Sequence, residues 1–345
     1  MDFSNSLLHW YLQEKRDLPW RNTTNPYAIW LSEIILQQTR VVQGMPYYLS
    51  FIEKYPTIFD FAAANEEDVL KLWQGLGYYS RARNMHKTAQ YIVSELKGVF
   101  PNTYEDLLKL KGIGPYTAAA IASFSFNEVV PVVDGNVYRV LARFFGIETD
   151  IASSKARKEF FKMAQLLISK DSPAIFNQAI MEFGALQCVP QNPDCKVCVF
   201  SNSCMALQIN KVNLLPVKLK KTKVTNRFLN YLVFVDDENT TIVCKRVQKG
   251  IWYNLYEFPV IETEKDVSDE EMIKLIRLQT IEYEIDEIYL YNDLKIIHKL
   301  SHQKLTLRFF NIKISNKITV GIQIDELEKL PFPIVIHNFI QKYIY

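Results

Sequence analysis

The sequence lacks several features that would place a protein in a broad class at once. No apolar run in its 345 residues approaches the roughly 20 residues needed to span a bilayer. The first residues lack the basic-then-apolar order of a secretion signal, and there is no internal repeat or low-complexity tract. A net charge of only +2 does not distinguish a nucleic-acid-binding protein from a metabolic enzyme. These absences predict a cytoplasmic protein with reduced thiols, whose function must be sought in local motifs.

The hydrophobic pattern divides the chain into two parts. From about residue 5 to 208 apolar residues recur at helical spacing, as in 7–12, 27–36, 68–73 and 160–168. From Phe228 onward, β-branched and aromatic residues predict strands at 228–235, 241–245 and 305–314. Ser268 and Glu271 have the spacing of a capping box, and a last helix is expected from Ile334. Residues 211–227, between the two parts, contain no acidic residue and six basic ones: Lys211, Lys218, Lys220, Lys221, Lys223 and Arg227. This composition suits either a solvated linker or a connector that follows the phosphates of DNA.

A glycine-containing turn at residues 110–117 (LKGIGPYT) joins two predicted helices. Gly112 and Gly114 permit backbone conformations closed to other residues and let N–H groups approach an anion at the start of the second helix. A glycine C-cap is the simpler interpretation of such a turn. Asp134, eighteen residues after Tyr116 in the segment VDGNV, favours the interpretation of this turn as an anion-binding site.

Four of the five cysteines are concentrated in seventeen residues, with the spacing C-x6-C-x2-C-x5-C: Cys188, Cys195, Cys198 and Cys204. Disulfides are not expected in a reducing compartment, so this spacing predicts a metal site. Four thiolates suit zinc or an iron–sulfur cluster equally, and ligand chemistry alone leaves both open. The fifth, Cys244, lies in a predicted strand and is expected to be a buried small hydrophobe.

Residues 29–39 (IWLSEIILQQT) predict a helix that is apolar on nearly every face as far as Leu36, which is typical of a buried helix. Glu33 is its only carboxylate. Burial should raise its pKa and keep it partly protonated near neutral pH, as a general acid requires. A structural partner for a core arginine is the alternative role for such a residue.

Together these segments resemble the helix-hairpin-helix DNA glycosylase superfamily that includes endonuclease III, and most closely its MutY-type adenine glycosylases. The resemblance extends over essentially the whole chain and includes residues 18–21 (LPWR) and 75–84 (GLGYYSRARN). It implies a multidomain α then α+β protein, with a helical domain at 1–208, a connector at 209–227 and a Nudix-like domain at 228–345. Within the helical domain it implies a six-helix barrel at about 25–130 and an iron–sulfur module from 1–24 and 131–208. It also implies that the four cysteines hold a structural 4Fe–4S cluster.

The same resemblance implies catalytic roles. Glu33 would protonate adenine, and Asp134 would stabilise the oxocarbenium ion formed when the N-glycosidic bond breaks. Relatives that also nick DNA carry a lysine at the position of Tyr116, and a phenol cannot form an imine. The sequence therefore predicts a glycosylase that leaves an abasic site without cutting the strand.

Further residues match positions that contact DNA in the family. The base must leave the duplex to be reached, and Arg16, Trp20, Leu36 and Gln178 match the adenine pocket. Contacts to DNA and to the opposite base are implied for Arg21, Gln38, Thr39, Leu76, Tyr78, Gly112 and Gly114. In the C-terminal part, Ser301 and His302 match the loop that detects 8-oxoguanine, whereas residues 262–285 lack the arrangement of acidic residues of a Nudix hydrolase.

The sequence thus predicts an adenine DNA glycosylase that acts on double-stranded DNA with adenine opposite 8-oxoguanine or guanine, as a monomer and without a membrane partner. Two alternatives stay open. An endonuclease III-like glycosylase/lyase is disfavoured by Tyr116, and a lesion-binding protein without catalysis is disfavoured by the presence of both Glu33 and Asp134.

Overall fold

The structure is a computed structural model that describes residues 3–219, 223–291 and 295–345. It divides into two compact units: the first comprises Met1–Ala63 and Asn84–Lys220, and the second comprises Ala64–Arg83 and Lys221–Tyr345. Lys220 and Lys221 of the predicted basic connector lie outside the described residues. Within the described ranges, no helix has the length and apolar character needed to cross a membrane.

This division differs from the expected domain boundaries in two respects: residues 64–83 join the C-terminal part, and the expected connector 209–227 is divided between the units after Lys220. Polar contacts explain the grouping. Glu67 accepts hydrogen bonds from Lys245 Nζ at 2.8 Å and from the Tyr256 hydroxyl at 3.0 Å. Gln74 Nε2 donates to the carbonyl of Phe332 at 2.7 Å.

The first unit is helical. α5 belongs to the second unit and α6 begins there before it continues into the first. In chain order the helices are α1 (Phe3–Glu14), α2 (Pro26–Leu36), α3 (Val41–Lys54), α4 (Ile58–Ala63), α5 (Glu66–Leu72), α6 (Ser80–Leu96), α7 (Tyr104–Leu107), α8 (Pro115–Phe126), α9 (Gly135–Phe145), α10 (Ser154–Leu167), α11 (Pro173–Leu186) and α12 (Met205–Gln208), with a 3₁₀ turn at Pro19–Arg21.

The start of α2 is specified locally. Asn25 caps the helix by accepting from the backbone N–H groups of Tyr27 and Ala28, and Pro26 occupies the first helical position. Every residue from Tyr27 to Ile35 is buried, which confirms the prediction of a helix enclosed on all faces. A separate apolar core joins α1, α9, α10 and α11.

The second unit is built on a mixed sheet in the order β5-β1-β8-β6, with β7 also paired to β8; β1 and β8 are parallel and the other pairs antiparallel. Two small two-stranded sheets pair β2 with β9 and β3 with β4. The strands are β1 (Thr225–Val235), β2 (Thr240–Thr241), β3 (Cys244–Lys245), β4 (Tyr256–Glu257), β5 (Val260–Thr263), β6 (Ile285–Leu290), β7 (Ile296–Lys299), β8 (Gln303–Ile314) and β9 (Ile322–Gln323); the remaining elements are α13 (Asp269–Gln279), a 3₁₀ helix at Ile324–Lys329 and α14 (Ile334–Tyr343).

A helix covers each face of the main sheet. Apolar residues of β1 and β8 pack on one face with Met272 and Ile276 of α13. On the opposite face, Phe309 of β8 stacks on Phe339 of α14, with ring centroids 3.7 Å apart. Alternate residues of a strand point to opposite faces, so the two helices bury the two sets of side chains.

The predicted order, helical and then α+β, is confirmed. Ser268 is the N-cap of α13, as the capping-box spacing predicts, and its side chain accepts from the N–H of Glu271. The strand expected at 241–245 is two short strands, β2 and β3. The expectation that Cys244 is buried is wrong, because its side chain is exposed.

Candidate active site

A cavity of about 400 Å³ in the first unit brings together all of the predicted catalytic and adenine-pocket residues. Glu33 reaches it from α2, Tyr116 from the first turn of α8, and Asp134 from the residue that precedes α9. Its walls also contain residues that the sequence predicts to bind a base or DNA: Arg16, Trp20, Arg21, Leu36, Thr39 and Gln178.

Glu33 is only 6% exposed. Burial withholds water from the charged carboxylate and raises the pKa of Glu33 from its usual 4.5 to about 7. The Tyr116 hydroxyl donates to Glu33 Oε2 at 2.5 Å, and this hydrogen bond lowers the pKa because it stabilises the ion. The expected shift is confirmed: Glu33 is a carboxyl group that can deliver a proton near neutral pH.

Tyr116 is held as a hydrogen-bond donor. Burial and the adjacent carboxylates of Glu33 and Asp134 raise the pKa of Tyr116 well above its ordinary value of 10. The residues that line the cavity in the described part of the chain include no lysine, so no side-chain amine is present in the wall to form an imine.

Asp134 is the N-cap of α9. Its Oδ1 accepts from the N–H of Val137 at 2.8 Å, and its Oδ2 accepts from Asn136 Nδ2 at 2.8 Å. Burial raises the pKa of Asp134, and these two hydrogen bonds oppose that rise by stabilising the ion. Donors at a helix N-terminus favour a carboxylate, so Glu33 and Asp134 lie in the same cavity in different surroundings.

A chain of hydrogen bonds leads from Asp134 to the cysteine-containing segment. Arg139 Nη2 donates to Asn136 Oδ1 at 2.8 Å, and the amide of Asn136 holds Asp134. Arg139 Nε donates to the carbonyl of Cys188 at 2.7 Å. The orientation of Asp134 is thereby linked to the backbone of the first cysteine.

Glu182 of α11 anchors two arginines in the cavity wall. Its carboxylate is 1% exposed and accepts two hydrogen bonds each from the Arg16 and Arg21 guanidinium groups, at 2.6–2.9 Å. Burial alone would raise the pKa of Glu182, but the donors from Arg16 and Arg21 lower it to about 2. Paired guanidinium groups hold fixed orientations, so Glu182 fixes the arginines.

Asn136, Arg139 and Glu182 were missed by the sequence analysis. For Glu182 a signal existed: it is a carboxylate in the apolar helix that carries Gln178, and it follows Gln178 by one helical turn. The same reasoning that selected Glu33 would have selected it. The bridging position of Asn136 and Arg139 depends on the approach of the Cys188 segment, which the local sequence does not encode.

A second cavity, of about 500 Å³, lies within the second unit and contains the other group of predicted DNA contacts: Leu76, Tyr78, Ser301 and His302. The hydroxyl groups of Tyr78 and Ser301 are hydrogen-bonded to each other. The structure therefore brings together a loop from residues 75–80 and the loop between β7 and β8, although more than 200 residues separate them in sequence.

Tyr78 and Gln38 share an unusual backbone conformation. Their φ angles are 46° and 60°, in the left-handed region that side chains other than glycine rarely adopt, and both residues are exposed. Such conformations concentrate at functional sites. Around Tyr78 the backbone is held by Trp73 Nε1, which donates to the carbonyl of Gly77 at 2.9 Å, and by Arg81, which donates to the carbonyl of Leu76 at 3.2 Å.

The glycine-containing hairpin joins α7 to α8. Gly112 has a φ of 79°, and a Cβ atom there would come within 2.9 Å of Asn84 Cβ, so a side chain would be strained. Gly114 is the N-cap of α8, a helix of 12 residues. Both glycines are exposed, and the first N–H groups of α8 are placed to meet an anion.

The four clustered cysteines are free thiols that line one shared cavity of the first unit. Arg143, which is 2% exposed, donates to Cys188 Sγ at 3.4 Å, and the N–H of Phe200 donates to Cys198 Sγ at 3.4 Å. Such donors stabilise thiolates. Within the described ranges, no three metal-binding side chains converge enough to hold a single ion. Four thiols around one cavity are a donor set that suits a metal centre, either zinc or an iron–sulfur cluster.

Two family profiles match this chain. One, described as "HhH-GPD superfamily base excision DNA repair protein", covers residues 31–165, and the other, described as "NUDIX domain", covers residues 230–342. The adenine DNA glycosylase of Buchnera aphidicola subsp. Baizongia pistaciae is 36% identical over 319 residues, which are 92% of this chain and 88% of that protein. The human adenine DNA glycosylase is 46% identical over 215 residues, 60% of this chain and 39% of its own length.

Solved structures match the first part of the fold. A thermostable thymine-DNA glycosylase aligns with a TM-score of 0.56 at 28% identity, covering 60% of this chain and 95% of that one. A non-covalent endonuclease III–DNA complex aligns with a TM-score of 0.53 at 24% identity, with 60% of this chain and 94% of that one covered. The second likeness concerns the fold alone.

Proposed function

This chain belongs to the adenine DNA glycosylase family, and from that premise we propose that it removes adenine mispaired with 8-oxoguanine or guanine without cutting the strand. As a member of the family it binds DNA and hydrolyses the N-glycosidic bond of adenine. The observation that carries the proposal is the meeting of Glu33, Tyr116 and Asp134 in one cavity whose described wall has no lysine.

Glu33 supplies the proton. Loss of adenine leaves negative charge on the departing base, and protonation at N7 neutralises it. A carboxyl group with a pKa of about 7 is protonated in a large fraction of molecules at neutral pH. The departing base becomes a better proton acceptor as its bond to the sugar breaks, so proton transfer grows more favourable along the reaction. Tyr116 holds the orientation of Glu33 through its hydroxyl.

Asp134 stabilises the sugar. Positive charge develops at C1′ as the bond breaks, and a carboxylate held by Val137 and Asn136 meets that charge without having to reorganise. Water then completes hydrolysis, with Glu33, now ionised, as the base. Arg16, Trp20, Leu36 and Gln178 are the residues proposed to surround the flipped adenine.

For the opposite base, the proposal assigns recognition to the cavity of the second unit. 8-Oxoguanine differs from guanine by a carbonyl at C8 and an N–H at N7. A serine hydroxyl can both donate and accept, so Ser301 can pair with this edge; Tyr78, Leu76 and His302 line the same cavity. Gln38, Thr39 and the hairpin glycines Gly112 and Gly114 are proposed to contact the DNA around the extruded base.

We also infer that Cys188, Cys195, Cys198 and Cys204 hold a 4Fe–4S cluster. In this role the cluster is structural: it would organise residues 188–204 and, through the carbonyl of Cys188, support Arg139. The chemistry of the reaction is assigned to Glu33 and Asp134 alone.

Single-turnover release of adenine from an 8-oxoguanine:A duplex tests the proposal, with each time point divided between alkali-treated and untreated samples. Strand breaks that appear only after alkali are the expected result. Breaks without alkali would identify an endonuclease III-like lyase, and no breaks under either condition would indicate a lesion-binding protein. A G:A duplex measured in parallel compares the two opposite bases.

A further inference from the structure

Gln178 lines the base cavity, but its amide oxygen is engaged by a residue outside the cavity wall. The Tyr11 hydroxyl, on α1, donates to Gln178 Oε1 at 2.8 Å. Tyr11 is 3% exposed and is not part of the wall. The side of Gln178 that faces Tyr11 is thus its carbonyl side.

Arg21 packs against Tyr11 in this place. The Arg21 guanidinium lies 5.8 Å from the centre of its ring, and Arg21 is itself fixed by Glu182. Glu182 and Gln178 are four residues apart on α11, and so share one face of that helix. Burial raises the pKa of Tyr11 above its ordinary value, so its hydroxyl keeps the proton that it donates.

An amide side chain presents a carbonyl on one side and an NH2 group on the other. Because Tyr11 occupies the carbonyl and Gln178 lines the cavity, the NH2 group is the end of the amide left for a base. We propose that Tyr11 is a positioning residue for base selection: its hydroxyl fixes the amide of Gln178 so that this side chain offers the base a hydrogen-bond donor.

The consequence is a preference for a base with an acceptor at the contacted edge. Adenine carries unprotonated ring nitrogens at N1 and N3, which accept from an NH2 group. A base with N–H at that edge would leave two donors facing each other, and an unpaired buried donor is costly. This inference rests on the proposed function, because it takes Gln178 to face the flipped adenine.

The test uses Tyr11→Phe, which removes the hydroxyl and keeps the ring. Tyr27→Phe is the matched control, because Tyr27 is also 3% exposed and donates at 2.8 Å, but to the backbone carbonyl of Tyr55 and outside the base cavity. Single-turnover rates and duplex affinities are measured with adenine, 1-deazaadenine and 3-deazaadenine opposite 8-oxoguanine. The deaza bases replace one ring acceptor each by C–H.

Wild type and Tyr27→Phe are expected to process at least one deaza base more slowly than adenine. In Tyr11→Phe, the single-turnover rate with adenine is expected to fall roughly three- to tenfold. The ratio of the rate with adenine to the rate with that deaza base is expected to approach one. Thermal midpoints of the two Tyr variants should fall equally, which separates positioning from a general loss of stability. An unchanged ratio in Tyr11→Phe, or no deaza effect in wild type, overturns the inference.

Gln178→Ala separates this inference from the proposed function. If Gln178→Ala releases adenine as fast as wild type, Gln178 does not face the base and its assignment in the proposed function fails. If Gln178→Ala is slow while Tyr11→Phe behaves as wild type, Gln178 reads the base without help from Tyr11 and the inference alone fails. The expected result is that Tyr11→Phe has no additional effect in the Gln178→Ala background.

Discussion

Replacement of Glu33 by glutamine is expected to stabilise the protein above neutral pH while it abolishes adenine release. Burial raises the pKa of Glu33 from 4.5 to about 7, so between these values the folded chain retains a proton that the unfolded chain has lost. The contribution of this proton to stability is fully present below pH about 4.5 and is lost as the pH rises toward about 7.

The size of the effect follows from the same two values. Each pH unit between them corresponds to about 1.4 kcal/mol, so an ionised Glu33 lowers the free energy of unfolding by at most roughly 3 kcal/mol above pH 7. Glutamine has nearly the same shape and never ionises. The gain from Glu33→Gln should therefore be small at pH 5 and approach this limit at pH 8.

Thermal unfolding of the full chain as purified checks this prediction at pH 5 and pH 8. Glu53→Gln is the control, because Glu53 is an exposed glutamate on α3. The midpoint of Glu33→Gln relative to wild type should rise by several degrees between the two pH values, and that of Glu53→Gln should not. An equal difference at both pH values would refute a raised pKa at Glu33. The variant should still bind mismatched duplex, and normal adenine release would remove Glu33 from the mechanism.

Three further predictions concern Tyr116, Ser301 and the cysteine cluster. Tyr116→Phe removes the hydrogen bond that lowers the pKa of Glu33. The pH above which the single-turnover rate declines should therefore rise by roughly one pH unit, and a fall in this pH contradicts the assignment. Ser301→Ala should reduce the preference for 8-oxoguanine:A over G:A by up to roughly tenfold, and an unchanged ratio in parallel kinetics would place recognition elsewhere. Elemental analysis should find about four irons per chain; zinc in their place overturns the cluster assignment.

The sequence was informative where one segment carries both a motif and its physical reason. The apolar helix around Glu33 predicts burial, and burial predicts the raised pKa that the structure shows. The cysteine spacing and the glycine hairpin are likewise motifs whose physical reason lies within one short segment. The order of helical and strand-containing parts also follows from local signals, namely helical spacing of apolar residues before residue 208 and β-branched and aromatic composition after Phe228.

What the sequence did not predict depends on contacts between distant segments. Arg139 becomes a link between Asp134 and the cysteines only because the carbonyl of Cys188 lies 2.7 Å from its Nε. Residues 64–83 join the second unit through Glu67 and Gln74, whose partners lie 178 and 258 residues away in sequence. Neither residue has a local pattern that distinguishes it from a solvated polar side chain.

Asp134 serves both the fold and the proposed chemistry, and one substitution can separate the two. As the N-cap of α9 it accepts from the N–H of Val137, and asparagine caps a helix as well as aspartate does. Because burial raises the pKa of Asp134, its charge is unfavourable in the folded state, so the neutral Asp134→Asn should unfold no more easily than wild type.

Asp134→Ala, in contrast, loses the cap at a cost of about 1 kcal/mol. Both variants are expected to release almost no adenine under single-turnover conditions, since both lack the carboxylate that is proposed to face the sugar. Stability and activity would then change independently across the series, which a purely structural aspartate cannot produce. If Asp134→Asn instead releases adenine at the wild-type rate, the charge is not used in the reaction, and Asp134 is only the residue at which α9 begins.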